Sequence, residues 1–207
     1  MKTMQKPAET SEPIHDLIRH RWSPRAFDSR PVEPEKLRSL FEAARWAASS
    51  YNAQPWYYIV ATKADPESYK KVLECLVEFN QGWAKSAPVL ALSVAGLKFE
   101  HNGTPNNHAY HDVGQASAYL ALEAANLGLQ IHQMAGILPE KARQIFAIPD
   151  GYEAVAGIAI GYAGDPATLP DQLRAQEEGP RARKPLESFV FTGSWGKVSP
   201  IVQSKGK

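Results

Sequence analysis

A single cysteine, Cys75, in 207 residues leaves no partner for an internal disulfide. That suits a reducing compartment, and a cytoplasmic location is expected. No apolar run approaches the roughly 20 residues that span a bilayer, so no membrane partner is expected. Neither sign of charge is in excess: 23 Lys and Arg against 22 Asp and Glu leave a net +1. A broad basic face for nucleic acid is therefore not expected either. Residues 1–12, MKTMQKPAETSE, lack the apolar middle of a signal peptide. They read as a flexible N-terminus ahead of one domain at 13–207.

Several chemical motifs are also missing. Gly157, Gly161 and Gly164 do not have dinucleotide-binding spacing, and there is no lysine-bearing phosphate loop. No serine nucleophile elbow is present. His108-x-x-His111-Asp112 has the spacing of metal ligands. One short motif in an Asn-rich loop reads better as solvated histidines, and no metal is expected. Cys75, within Val72–Val77, reads as a small buried hydrophobe.

What is present is 43% hydrophobic residues, enough for one substantial core in a chain of this length. Ser11-Glu12-Pro13 followed by Ile14, Leu17 and Ile18 predicts a capped amphipathic helix ending at Ser23-Pro24. Pro34 opens a second helix to about Ala48, with Leu37, Leu40, Phe41 and Ala44 on one face. Strands are expected at Trp56–Ala61, Pro88–Val94, Leu129–Met134 and Ala154–Gly161. A helix carrying Tyr69, Val72, Leu73 and Leu76 is expected to end where Asn80-Gln81-Gly82-Trp83 breaks the pattern. Residues 98–111 form a long polar loop of the kind that serves as a lid. After it, Val113, Ala116, Ser117, Leu120, Ala121 and Ala124 mark one face of a central helix that Gly128 stops. Pro139–Phe146 is a further helix. Beyond Pro166 the chain is rich in proline and charge, with little core periodicity, and is expected to wrap another surface. The order α-α-β-α-β-α-β-α-β gives an α+β domain of helices around a modest sheet.

Two segments suggest binding. Arg21-Trp22-Ser23-Pro24-Arg25 puts a hydroxyl between two guanidiniums, whose planar forks match a phosphate or the carbonyl edge of a flavin. The plainer reading is a solvated basic helix end, favoured by the helix dipole. Ser49-Ser50-Tyr51-Asn52-Ala53-Gln54-Pro55-Trp56 gathers amides and hydroxyls ahead of a strand. These can read a heterocycle's polar edge, or serve only as turn residues.

Together with further motifs, these segments resemble the FMN-dependent nitroreductase family. The resemblance rests on RHRWSPRAFDSRPV, EAARWAASSYNAQPWYYIVAT, Asn80-x-x-Trp83-x-x-x-Ala87-Pro88, HDVGQASAYLALEAANLGL, GYEAVAGIAIGYAGDP and Arg181-x-Arg183-Lys184-Pro185-Leu186. It covers roughly residues 14–195. The fold it implies is a central mixed or antiparallel sheet flanked by helices, with an extended C-terminal tail wrapping a dimer partner. The resemblance implies a homodimer with two FMN sites at the subunit interface. NAD(P)H would give hydride to the flavin N5, and a small organic acceptor such as a nitroaromatic or quinone would take the electrons in a second, ping-pong half-reaction. No side chain is then a nucleophile or acid–base catalyst.

By the same resemblance Arg21, Trp22 and Ser23 border the phosphate and ribityl chain, and Arg25 approaches the pyrimidine edge as electrostatic support. Ser49, Ser50 and Asn52, with Gln54 beside them, lie on the loop that reaches the partner's flavin. Asn80 meets the ring edge. Met134, Ala135 and Gly136 lie along one ring face, and Arg181 and Arg183 close on the phosphate. Phe99 and Tyr110 are lid residues that select the acceptor. Trp83 stands where some relatives carry a lysine and reads as core packing, and Gln133-Met134-Ala135 departs from the commoner small or polar residues. The alternatives are another flavin reaction on the same scaffold (dehalogenation, azoline oxidation or flavin degradation) or a flavin-binding protein without catalysis.

Overall fold

The structure, a computed structural model, describes residues 5–203; residues 1–4 and 204–207, the ends of the expected flexible N-terminus and single domain, lie outside the described residues. Strand β2 (Val89–Gly96) is buried along its whole length and forms the spine. It pairs on one side with β1 (Trp56–Thr62) and on the other with β4 (Tyr152–Gly161), which in turn pairs with β3 (Gln130–Met134). The resulting four-stranded order β1-β2-β4-β3 is antiparallel at every pairing, so of the expected mixed or antiparallel sheet the second form holds.

Both faces of this sheet are covered. Alternate residues of β2 and β4 divide between two cores, as the period-2 geometry of a strand requires. On one face Ala91, Ile158 and Ile160 pack with Leu40 and Ala44 of α2 (Pro34–Arg45) and with Ala116, Leu120 and Ala124 of α5 (Ala109–Asn126). On the other, Leu90, Leu92 and Ala159 pack with Tyr69 and Val72 of α3 (Pro66–Glu74) and with Trp83, Ala142 and Leu173. Burying a leucine of this kind stabilises the fold by about 1.5–3 kcal/mol. The face expected for α5 is the buried one, and the helix ends at Asn126 with Leu127 as its cap, just before Gly128, whose φ of 75° suits a residue without a Cβ. Cys75 is fully buried.

Three expectations are corrected. Asn80–Trp83 does not break the chain but forms most of a short helix, α4 (Glu78–Ala84), because Trp83 and Ala84 gain burial that outweighs the poor helix propensity of Asn and Gly. The first helix, α1 (Asp16–His20), starts later than Ser11 and is capped by His15, whose ring accepts from the Leu17 amide. The segment after Pro166 does carry a core contact of its own. After α6 (Pro139–Phe146) and β4, helix α7 (Asp171–Glu178) buries Leu173 and Glu177 against the body. The N-terminal stretch is also tied down in part: the Ala8 amide donates to the Arg19 carbonyl at 2.8 Å. Among the described residues no helix is long and apolar enough to cross a membrane.

Candidate active site

Helix α1 ends at Arg21, where the backbone turns extended, and Pro24 prevents the helix from resuming. The half-buried Arg21 guanidinium donates to Ser23 Oγ at 3.3 Å. Burial, then the neighbouring charges of Arg181 and Arg183, pull the Arg21 pKa below its ordinary value. Three arginines from opposite ends of the chain therefore share one electrostatic neighbourhood. Among the described residues no carboxylate lies within ion-pair distance of Arg21, Arg25, Arg181 or Arg183. A cluster of arginines with no carboxylate in ion-pair distance has the chemistry of an anion site.

The tail cations differ in what they hold. Arg181 donates to the carbonyls of Lys6, Arg19 and Arg21, the last two at 3.0 Å. Arg183 is exposed and, among the described residues, donates only to the neighbouring Ala182 carbonyl. Trp22 is buried, its amide donating to Gln130 Oε1 at 3.3 Å and its indole lying under the Lys6 ammonium at 5.3 Å. It forms a wall of the cradle.

Arg25 is held from the backbone side. Its amide donates to both carboxylate oxygens of Glu177, at 2.9 and 3.0 Å, and the Ala26 amide donates to the same group at 3.1 Å. The Arg25 Nε is buried and has no hydrogen-bond partner among the described residues. An unpaired buried guanidinium nitrogen costs a few kcal/mol unless a ligand meets it.

A chain of side chains then links this segment to residues 134–136. The His132 Nδ1–H donates to the Pro24 carbonyl at 2.9 Å, and its ring lies 4.5 Å from that of Trp83. Burial, with the Arg25 and Arg21 charges adding to it, lowers the His132 pKa to about 4, so the ring is neutral at neutral pH. Trp83 Nε1 donates to Asn80 Oδ1 at 3.3 Å, and Asn80 Nδ2 donates to the Gly136 carbonyl at 3.0 Å. Met134 is buried at the end of β3, while Ala135 is exposed beside it. Arg21, Ser23, Arg25, Asn80, Met134–Gly136, Arg181 and Arg183 are thus brought into one region.

Ser49, Ser50, Asn52 and Gln54 are placed elsewhere. Tyr51, Asn52 and Gln54 all have positive φ, at 53°, 54° and 49°. Non-glycine residues rarely adopt this conformation, at about 1–2 kcal/mol each, and such strain concentrates at binding loops. The loop is pinned by Asp112, only 2% exposed, which accepts from the Ser50 amide at 3.0 Å. Ser49 Oγ accepts from the Gln54 amide at 3.0 Å. Among the described residues, no hydrogen bond, ion pair or aromatic contact joins this loop to the arginine cradle of the same chain. Phe99 meets Tyr51 edge to face at 5.8 Å, so the polar loop, which ends at His108 rather than at the expected residue 111 because α5 already begins at Ala109, leans on the strained one. Tyr110 instead donates to Glu153 at 2.9 Å, on the first turn of α5.

Glu177, His132, Asp112 and Gln130 are site-building residues that sequence patterns do not reveal. Each acts on a backbone group far along the chain: 152 residues for Glu177 and Arg25, 62 for Asp112 and Ser50. No local periodicity carries such a pairing.

The chain is similar to known proteins in sequence and fold. The sequence model described as the Nitroreductase family matches residues 18–162. The chain is 30% identical to the Major NAD(P)H-flavin oxidoreductase of Aliivibrio fischeri, over 80% of this chain and 95% of that one. It is 28% identical to an NADH dehydrogenase of Thermus thermophilus, over 83% and 91% respectively. A crystal structure described as an oxidoreductase containing FMN is similar with a TM-score of 0.85 at 37% identity, covering 90% of this chain and 95% of that chain. With its α+β architecture and the matched residues taken together, the chain belongs to the nitroreductase family.

Proposed function

We propose that this protein is an FMN-dependent oxidoreductase that passes hydride from NAD(P)H to a small organic acceptor, such as a nitroaromatic or a quinone, by a ping-pong mechanism. The observation that carries the reading is the buried Arg25 Nε, without a hydrogen-bond partner among the described residues, beside a cluster of arginines none of which is ion-paired to a carboxylate there. A planar heterocycle with an attached phosphate fits both at once. The similar proteins described above, an NAD(P)H-flavin oxidoreductase and an oxidoreductase containing FMN, support the same cofactor and donor. FMN, when bound, supplies a ring that accepts a hydride and gives electrons up again.

The chain's own residues provide orientation and charge. Arg21, Ser23 and Arg183 hold the phosphate and ribityl chain. Arg25 presents its guanidinium to the pyrimidine edge, where a fixed cation favours added negative charge. Asn80 fixes Gly136 through its amide, which sets Met134, Ala135 and Gly136 along one face of the ring. The neutral His132 holds the Pro24 carbonyl and so keeps Arg25 in register without adding a charge.

The site is completed by a second copy of the chain. The loop with Ser49, Ser50, Asn52 and Gln54 makes no hydrogen bond, ion pair or aromatic contact with its own cradle among the described residues, and its strain is best offset at another subunit's site. Trp195 is 93% exposed, Ile201 85% and Trp46 72%, which suits surfaces covered in a homodimer by a tail that wraps the partner. Phe99, joined to Tyr51, then borders the acceptor space, and Tyr110 stands further back. The single buried Cys75 fits a cytoplasmic enzyme.

Purified protein supplemented with FMN should show bound-flavin absorption that NADH or NADPH bleaches without oxygen and a nitroaromatic or quinone restores. Initial rates against both substrates should give parallel double-reciprocal lines. Protein that retains no flavin overturns the reading at its root, and intersecting lines overturn the ping-pong order.

A further inference from the structure

We infer that the C-terminal segment acts as a clamp on the backbone of residues 19–26, with Glu177 and Arg181 as positioning residues, leaving Arg21 and Arg183 to face the cofactor's phosphate. This rests on the FMN reading above and assigns to Arg181 a role different from that of Arg183.

The two side chains grip opposite polarities of one segment. Glu177, 3% exposed, accepts from the amides of Arg25 and Ala26 with both carboxylate oxygens. A buried carboxylate beside an anion site is costly in itself: burial pushes its pKa up, and its charge repels phosphate. Its place is explained by what it holds, two adjacent amides outside any strand of the sheet, with Lys6 and Arg25 as compensating charges.

Arg181 does the converse. Three of its donor contacts are spent on the carbonyls of Lys6, Arg19 and Arg21. The last two close α1, where terminal carbonyls lack helical partners and a cation is favoured by the helix dipole. A guanidinium has five N–H donors in a fixed fork; among the described residues Arg181 commits three of them to carbonyls, whereas Arg183 commits one and keeps four for a phosphate. Neither grip touches the side chains of Arg21 or Ser23, and both fix the backbone from which those side chains project. Tail docking and cofactor binding are therefore thermodynamically linked: each favours the other by the same factor.

The test uses the full-length protein and two ligands, FMN and riboflavin, which differ only by the phosphate. Arg183→Ala should weaken FMN by about 10-fold or more and leave riboflavin nearly unchanged. Arg181→Met and Glu177→Ala should weaken both ligands by similar factors of about 10, keeping their ratio. Both should also speed trypsin cleavage at the Arg183–Lys184 bond in flavin-free protein. Glu177→Ala should shift the visible absorption of bound flavin because Arg25 moves, and Glu177→Gln, which keeps a carbonyl acceptor, should restore most of the affinity. If Arg181→Met lowers the FMN to riboflavin ratio as Arg183→Ala does, Arg181 is a phosphate ligand and the clamp is wrong. If Glu177→Ala alters neither affinity nor cleavage, Glu177 positions nothing. Should the unaltered protein bind neither flavin, the cofactor reading fails, and the cleavage comparison still decides the clamp.

Discussion

Replacing Arg21 by alanine isolates the phosphate end of the site. Arg21 is half-buried, is bordered by Arg181 and Arg183, and has no carboxylate partner among the described residues. An incoming phosphate therefore does not have to displace an internal counter-ion, and the charge-assisted bond is felt nearly in full. Such a bond contributes about 1.5–3 kcal/mol. At about 1.4 kcal/mol per factor of ten, Arg21→Ala should weaken FMN by about 10- to 150-fold. Riboflavin carries no phosphate and should lose little. Quenching of flavin fluorescence, titrated with flavin-free protein at two salt concentrations, measures both affinities. The FMN loss should shrink as salt screens the remaining cations. Equal losses for FMN and riboflavin would refute the reasoning, because Arg21 would then be supporting the ring or the fold rather than the phosphate.

Three further outcomes follow from the geometry. A Cβ at Gly164 would lie 2.6 Å from the Phe27 carbonyl carbon and 2.8 Å from the Asp28 nitrogen. Gly164→Ala should therefore cost about 1–3 kcal/mol, lower the melting temperature by about 2–4 °C per kcal/mol and loosen flavin through Arg25; an unchanged melting curve contradicts this. Asp112→Ala strips the Ser50 amide of its acceptor and should free the strained loop, raising chymotrypsin cleavage at Tyr51 and weakening flavin at the partner's site. Wild-type cleavage rates would show that Asp112 does not hold it. His132 has a folded-state pKa of about 4, below its unfolded value near 6.5. Its contribution is present above about pH 6.5 and lost as pH falls towards 4, by about 3 kcal/mol, since the unfolded chain takes up the proton first. Denaturant unfolding across that range should show the loss, and His132→Gln should flatten it; a variant as acid-sensitive as the parent assigns the effect elsewhere.

The legible parts of this chain were those governed by local rules. Val89–Gly96 reads as a buried strand because its neighbours are apolar on both faces, and α5 because its small residues recur at helical spacing. The cradle residues Arg21, Ser23 and Arg25 were visible as a motif. The parts that escaped depend on distant partners. Asn80–Trp83 is helical only because Trp83 finds a pocket against His132, and α7 forms because Leu173 reaches the core. The different duties of Arg181 and Arg183, two residues apart, are set by which carbonyls happen to lie within reach, and spacing alone cannot tell them apart.

The contact between Glu177 and the Arg25 amide closes a loop of 152 residues. Long loops close late, since their entropy is recovered only when most of the intervening chain is already packed. A nascent chain still lacking α7 has every strand of the sheet yet neither of the side chains that grip residues 19–26. Competence to take up flavin therefore depends on the docking of residues 171–183, and bound flavin marks a chain in which that segment has met residues 19–26.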